Sequence, residues 1–223
     1  IGGPVKLGLP SSLALVLVGP LVGALEMRFP GISLEVYESP SSYLPAHLIN
    51  QQVDLSVLVD DLTLPGIHAE PLLEESLYFA QPRHAPVLEG ADFTLASIAR
   101  VPLMLTTHAT TLRHLVDRAF TEAGVLPIVK AQASSIQTLL LMVAKGGAGT
   151  IVPRSALALH VAADLLRANI IEPRIIRRAT LAYSRLGYLS PAAGCVRDVL
   201  REIADQVIGA EKWFIDAIPD TQP

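Results

Sequence analysis

The chain has 223 residues, 51% hydrophobic and 17% charged, enough apolar material for one large domain or two small ones. Its 17 basic and 21 acidic residues leave a net charge of −4, and no basic run exceeds the pair Arg177-Arg178, so the concentrated cationic face of a nucleic-acid reader is missing. A single cysteine, Cys195, excludes an internal disulfide and suits a reducing compartment, and no uncharged run reaches the ~18 residues of a membrane helix.

In chain order, VKLGLP (5–10) reads as a strand. A helix follows, with Ser11 or Ser12 placed to cap it and Pro30-Gly31 placed to end it. Apolar residues cover nearly every face of this helix, and Pro20 is expected to kink it or to start a new turn. The stretch 13–25 imitates a signal-peptide core, but a strand precedes it and no basic start does. ISLEVYES (32–39) alternates as a strand does. A helix over 42–52 and the buried strand DLSVLV (54–59) complete a βαβ rhythm, which means a mainly parallel sheet. DDLTLPGIHAE (60–70) reads as a loop with a Pro-Gly turn, and EESLYFAQP (74–82) as a strand.

A short helix near 94–100 precedes the strand VPLMLT (101–106). Leu112, Leu115, Val116, Ala119 and Phe120 share one face of the next helix, which Gly124 closes. IVKAQA (128–133) is a strand, and Ser134 or Ser135 caps the helix after it. Gly146 and Gly147 fall just past that helix, where left-handed geometry suits glycine. A phosphate loop runs the other way, from strand through glycines into a helix start, so these glycines read as punctuation. A strand (149–153), a helix (154–167), a strand-rich stretch (170–184) and a last helix opened by Ser190-Pro191 finish the chain. Trp213, Phe214 and Ile215 near the end read as a packing anchor.

Several of these segments, in this order, resemble the effector-binding region of LysR-type transcriptional regulators. They are VKLGLP-SS with a long helix ending RFPG; ISLEVYES; Leu48 to Val57 (L-x-x-x-x-V-D-L-S-V); PLLEESLYFAQPRHAP; SIQTLLLMVAKGGAGTIVPRSA; and YLSPAAGCVRDVL. The spacing around RVPLMLTTHATTLRHLVDRAFTEAG is most similar to the nitrogen-assimilation-control branch. The family has glycine where Gln51 stands, so Asn50 is expected to supply the left-handed residue that ends the second helix.

The resemblance implies a type II periplasmic-binding-protein-like α/β fold. Two lobes with mainly parallel central sheets would be joined by two crossover strands, with a cleft between them. Lobe I would combine 1–78 with 183–223, and lobe II would be 79–182. It implies that a winged helix-turn-helix, absent from this chain, reads promoter DNA in the whole protein, and that the protein is cytoplasmic and forms homodimers or homotetramers. The apolar first helix is expected to join a side-by-side dimer with the last helix of a neighbour. The start on IGGPVKLGLP, without methionine, reads as a piece of a longer protein.

A small-molecule effector would meet strand C-termini and helix starts, where exposed N–H groups favour polar guests. The candidates are Ser11 and Ser12 after the first strand, Asp60 after the third, Thr107 and Thr110 after PLML, and Ser134 after VKAQA. The family resemblance itself carries over to Ser11, Ser12 and Thr107. Ser12 and the hydroxyls beside these candidates, Thr111 and Ser135, serve equally well as plain helix caps, and Asp60 as a solvated loop residue. An acidic Asp60 in the site would favour an amine-bearing effector over a simple anion. No cofactor, metal site or catalytic residue is implied. The alternative reading is a solute-binding protein of a transport system.

Overall fold

The computed structural model describes residues 1–59, 65–85, 93–185 and 188–209. Asp60 and the Trp213 segment lie outside them. The chain divides into two α/β units, one made of Ile1–Glu74 and the chain from Arg178 to the end of the last helix, the other of Glu75–Arg177.

In the first unit, β1 (Gly2–Leu9) leads into α1 (Ser11–Arg28) and β2 (Gly31–Glu38). Then come α2 (Leu44–Ile49), β3 (Leu55–Val59) and the first half of β4 (Ile67–Pro82). β1 pairs in parallel with β2, Leu7 opposite Val36, and with β3, Leu7 opposite Leu55. All five residues of β3 are buried, which matches its unbroken apolar run. α1 buries Leu13, Leu17, Leu21 and Leu25 at helical spacing, and these pack with Val5, Leu7 and Leu9 of β1. Pro20 neither breaks nor restarts α1. It sits exposed, and the helix assignment runs through it to Arg28. The helix is long and apolar enough to cross a membrane by length and composition alone, but its buried stripe is part of this core.

The second unit continues with the rest of β4, α3 (Leu95–Ile98), β5 (Pro102–Thr106), α4 (Thr111–Glu122), β6 (Ile128–Ala133) and α5 (Ile136–Lys145). β7 (Thr150–Pro153), α6 (Arg154–Ala162) and β8 (Leu166–Ile170) follow. β9 (Ile176–Ser184) carries the chain back to the first unit, pairing antiparallel with β3, Val57 opposite Leu181. α7 (Pro191–Gly209) then packs against α1 of the same chain, burying Val196, Val199, Leu200 and Ile203. Ser190 caps it by accepting from the Ala193 N–H at 3.1 Å.

β5 and β6 are parallel, with Thr106 opposite Ala133, whereas β4 pairs antiparallel with both β7 and β8. β4 begins at Ile67, seven residues before the strand that the sequence pattern suggests, and β8 replaces the end of the expected 154–167 helix. The helix stops early because Asp164 takes φ 54. The Asp164 and Leu165 N–H groups then bond the carbonyls of Val161 and His160. This is a Schellman ending, which satisfies the last carbonyls of the helix.

α4 ends the same way with Gly124 at φ 68, and α2 with Gln51 at φ 55. Gln51 therefore takes the left-handed place itself. Asn50, expected to supply it, has φ −81. Gly146 and Gly147 are not left-handed either, and Gly146 is extended at φ −99, ψ −176. Close approach is the reason for glycine nearby: a Cβ on Gly149 would stand 2.6 Å from Phe79 Cζ, inside the core of this unit.

Candidate functional site

The sequence candidates lie at three strand-to-helix junctions. At the first, between β1 and α1, Pro10 is the capping residue and no side chain caps the helix. Ser11 and Ser12 are its first two helical residues, so neither is the N-cap that the sequence suggests. Ser12 is fully buried and Ser11 half-buried. A proline N-cap accepts no hydrogen bond through its ring, but its carbonyl accepts from the Leu13 and Ala14 N–H groups, both at 3.0 Å.

The second and third junctions stand side by side because β5 and β6 are parallel neighbours. The Thr107 N–H donates to the Ala133 carbonyl at 3.1 Å, which places the start of the β5–α4 turn beside Ser134. Thr107 and Thr110 are half-buried, and Ser134 is exposed. Thr110 caps α4: its Oγ1 accepts from the Arg113 N–H at 3.2 Å and donates toward Thr106 Oγ1 (2.8 Å) and the Thr107 carbonyl (3.0 Å). Ser135, not Ser134, caps α5, accepting from the Thr138 N–H at 3.4 Å. The structure thus gathers Thr107, Thr110 and Ser134 in the second unit. Ser11 and Ser12 belong to the first, and Asp60 lies outside the described residues.

Arg113 is the residue that sequence reasoning missed. It is 6% exposed, in the first turn of α4. Its Nε donates to Asp117 Oδ1 at 2.7 Å, and one terminal nitrogen donates both to the Thr106 carbonyl (2.9 Å) and to Gln132 Oε1 (2.7 Å). His108 Nδ1 stands 3.2 Å from the other Asp117 oxygen. A signal existed: residue 113 lies seven before Phe120, almost in line with it on the helix, so the apolar stripe contains an arginine. Gln132, nineteen residues away, could not be read from that spacing.

A second buried cation belongs to the same unit. Glu75 accepts from Arg177 Nε at 3.0 Å, from the Ser155 N–H at 2.8 Å and from Ser155 Oγ at 3.2 Å. Glu75 thereby serves the start of α6, whose own capping residue, Pro153, offers no side-chain bond. Among the described residues no three His, Cys, Asp or Glu side chains gather as a metal ion would need. What the β5 and β6 ends offer is hydroxyls and two helix starts, with the nearby arginine already neutralised: a setting for a polar guest held by hydrogen bonds.

The family model described as "LysR substrate binding domain" matches residues 1–205. The "Nitrogen assimilation regulatory protein nac" of Klebsiella aerogenes is 30% identical over 206 residues, covering 92% of this chain and 67% of that protein. The effector-binding domain of QuiR in complex with shikimate superposes with a TM-score of 0.81 at 20% identity, covering 92% of this chain and 99% of that one. The CcmR regulatory domain of Synechocystis PCC6803 in complex with 2-PG also gives a TM-score of 0.81, at 17% identity, covering 91% and 97%.

Proposed function

The chain belongs to the LysR substrate binding domain family, and from that premise we propose that it is the effector-sensing part of a transcriptional regulator that binds a small metabolite. The match across residues 1–205, with a nitrogen-assimilation regulator 30% identical, carries the reading. The relatives are regulators rather than transport proteins, which disfavours the solute-binding alternative, and sensing needs no turnover. The chain spans about two thirds of the nac protein. Within a longer regulator of that kind, a separate module would bind promoter DNA, in the cytoplasm and in an oligomer.

The proposed contacts are the hydroxyls of Thr107, Thr110 and Ser134 at the ends of β5 and β6, with Ser11 and Ser12 at the start of α1. Thr110 is already committed to capping, so Thr107 and Ser134 are the freer hydroxyls of the second unit. Asp60 stays in the proposal as a charged neighbour of the end of β3. An effector regulates only through unequal affinity for two states, and a coupling of about 1–3 kcal/mol changes DNA affinity roughly 5–150-fold.

A thermal-shift screen against amino acids and hydroxylated acids, with shikimate and 2-PG included, tests the reading. A ligand at 100 times its dissociation constant stabilises by about 2.7 kcal/mol. In a chain of this size that raises Tm by about 5–10 °C. A screen of central metabolites that shifts nothing by more than about 1 °C at this scale counts against effector sensing by this chain.

A further inference from the structure

We propose that Arg113 is a positioning residue of the β5–β6 site, an inference that rests on the reading of Thr107 and Ser134 as effector contacts. Its backbone and its side chain act on the same short turn from opposite ends. The Arg113 N–H holds Thr110 Oγ1, which in turn bonds Thr106 Oγ1, while the guanidinium holds the Thr106 carbonyl. Residues 106–110 are thereby closed into a turn with Thr107 at its start. The Thr110 N–H donating to the Thr107 carbonyl at 3.1 Å tightens it from inside.

The same guanidinium reaches across to β6 through Gln132 Oε1, two residues before Ser134. One side chain therefore fixes the ends of two adjacent strands, the places from which Thr107 and Ser134 emerge. Thr106 is 3% exposed, so its carbonyl has little access to water as an alternative partner. The task calls for arginine. Nε is committed to Asp117 and a terminal nitrogen to two acceptors, a planar fork that the single ammonium of lysine does not reproduce. Arg113 touches the effector through none of this. It sets where the hydroxyls stand.

Hydrogen exchange followed by NMR on the full chain tests the proposal in wild type, Arg113→Met, Arg113→Lys and Gln132→Ala. The reporter is the Thr107 amide, bonded to the Ala133 carbonyl. The control is the Leu77 amide, bonded to the Ile175 carbonyl in the same unit. Arg113→Met is expected to speed Thr107 exchange by about tenfold or more and Leu77 exchange far less, and Arg113→Lys to restore little. Gln132 is exposed, so Gln132→Ala keeps the test alive should the methionine variant not fold, with an expected acceleration of about threefold at Thr107. Unchanged Thr107 exchange, or equal acceleration at both amides, overturns the positioning role.

A shikimate titration of the same samples separates this from the site reading. Wild-type amide shifts at Thr107 and Ser134 that weaken about tenfold in affinity in Arg113→Met support both. Shikimate shifts confined to other residues overturn the site reading, and the exchange result still decides Arg113.

Discussion

The two units bury different chemistry. Among the described residues, the buried polar side chains of the first unit are Ser12 and Ser56. Those of the second are Gln81, Thr106, Arg113, Thr150, Ser155, His160 and Arg177. The first unit is a leucine and valine core between α1, α7 and a sheet, and its ion pairs, such as Arg28 with Glu202, lie on its surface. The second has an apolar core of similar make-up but is also held by two buried arginines, each committed to a carboxylate. Apolar packing tolerates substitution of similar volume, whereas a buried charge is stable only with its partner. Single polar changes should therefore hurt the second unit far more than the first.

The sharpest test is Arg177→Met. It removes the arginine that pairs with the buried Glu75 carboxylate, and should cost about 3–5 kcal/mol in urea unfolding. Adding Glu75→Leu should recover most of that loss, because an apolar pair of similar size replaces the ionic one. No recovery would mean that the α6 start depends on this carboxylate. In the first unit, Leu17→Ala removes a fully buried α1 side chain and should cost about 2–5 kcal/mol, with no dependence on salt. A strong salt dependence would break the contrast.

The two helix starts supply a smaller comparison. Thr110→Ala removes a cap and the hydroxyl bond to Thr106, and should cost about 1–2 kcal/mol. Ser11→Ala, at a helix start whose N-cap is Pro10, should fall within about 0.5 kcal/mol of wild type. The smallest effect concerns pH. Burial lowers the pKa of His160, whose Nδ1 has no partner. The unfolded chain takes up a proton near the ordinary pKa of ~6.5, before the folded imidazole does. This part of the stability is present in full above that pH and falls away as pH drops toward the lowered folded value. His160→Gln should flatten the slope of Tm against pH below ~6.5 and leave the slope above it unchanged.

Hydrophobic period and turn chemistry carry most of the element order. They fail where the backbone answers to distant partners. β4 starts at Ile67, inside a stretch that composition marks as loop, in a strand that has β9 as a neighbour besides β7 and β8. The glycines at 146 and 147 read as a left-handed helix ending, but the left-handed places are held by Gln51, Gly124 and Asp164. Of the proposed contacts, Thr107, Thr110 and Ser134 were legible as strand-to-helix hydroxyls. Arg113 left only the trace of a charge in an apolar stripe, since an arginine in a helix is ordinarily solvated and two of its acceptors, the Thr106 carbonyl and Gln132, lie on other segments.

The sequence alone determined the alternation of strands and helices, most of the apolar stripes and the family to which their order points. These depend on spacing within about twenty residues, where backbone geometry repeats. Only the tertiary structure decided which polar groups are buried and with what. Glu75 meets Arg177 across 102 residues and Ser155 across 80, and Arg113 meets Gln132 across 19. Such pairs leave no periodic trace, because it is the packing of separate strands and helices that brings them together.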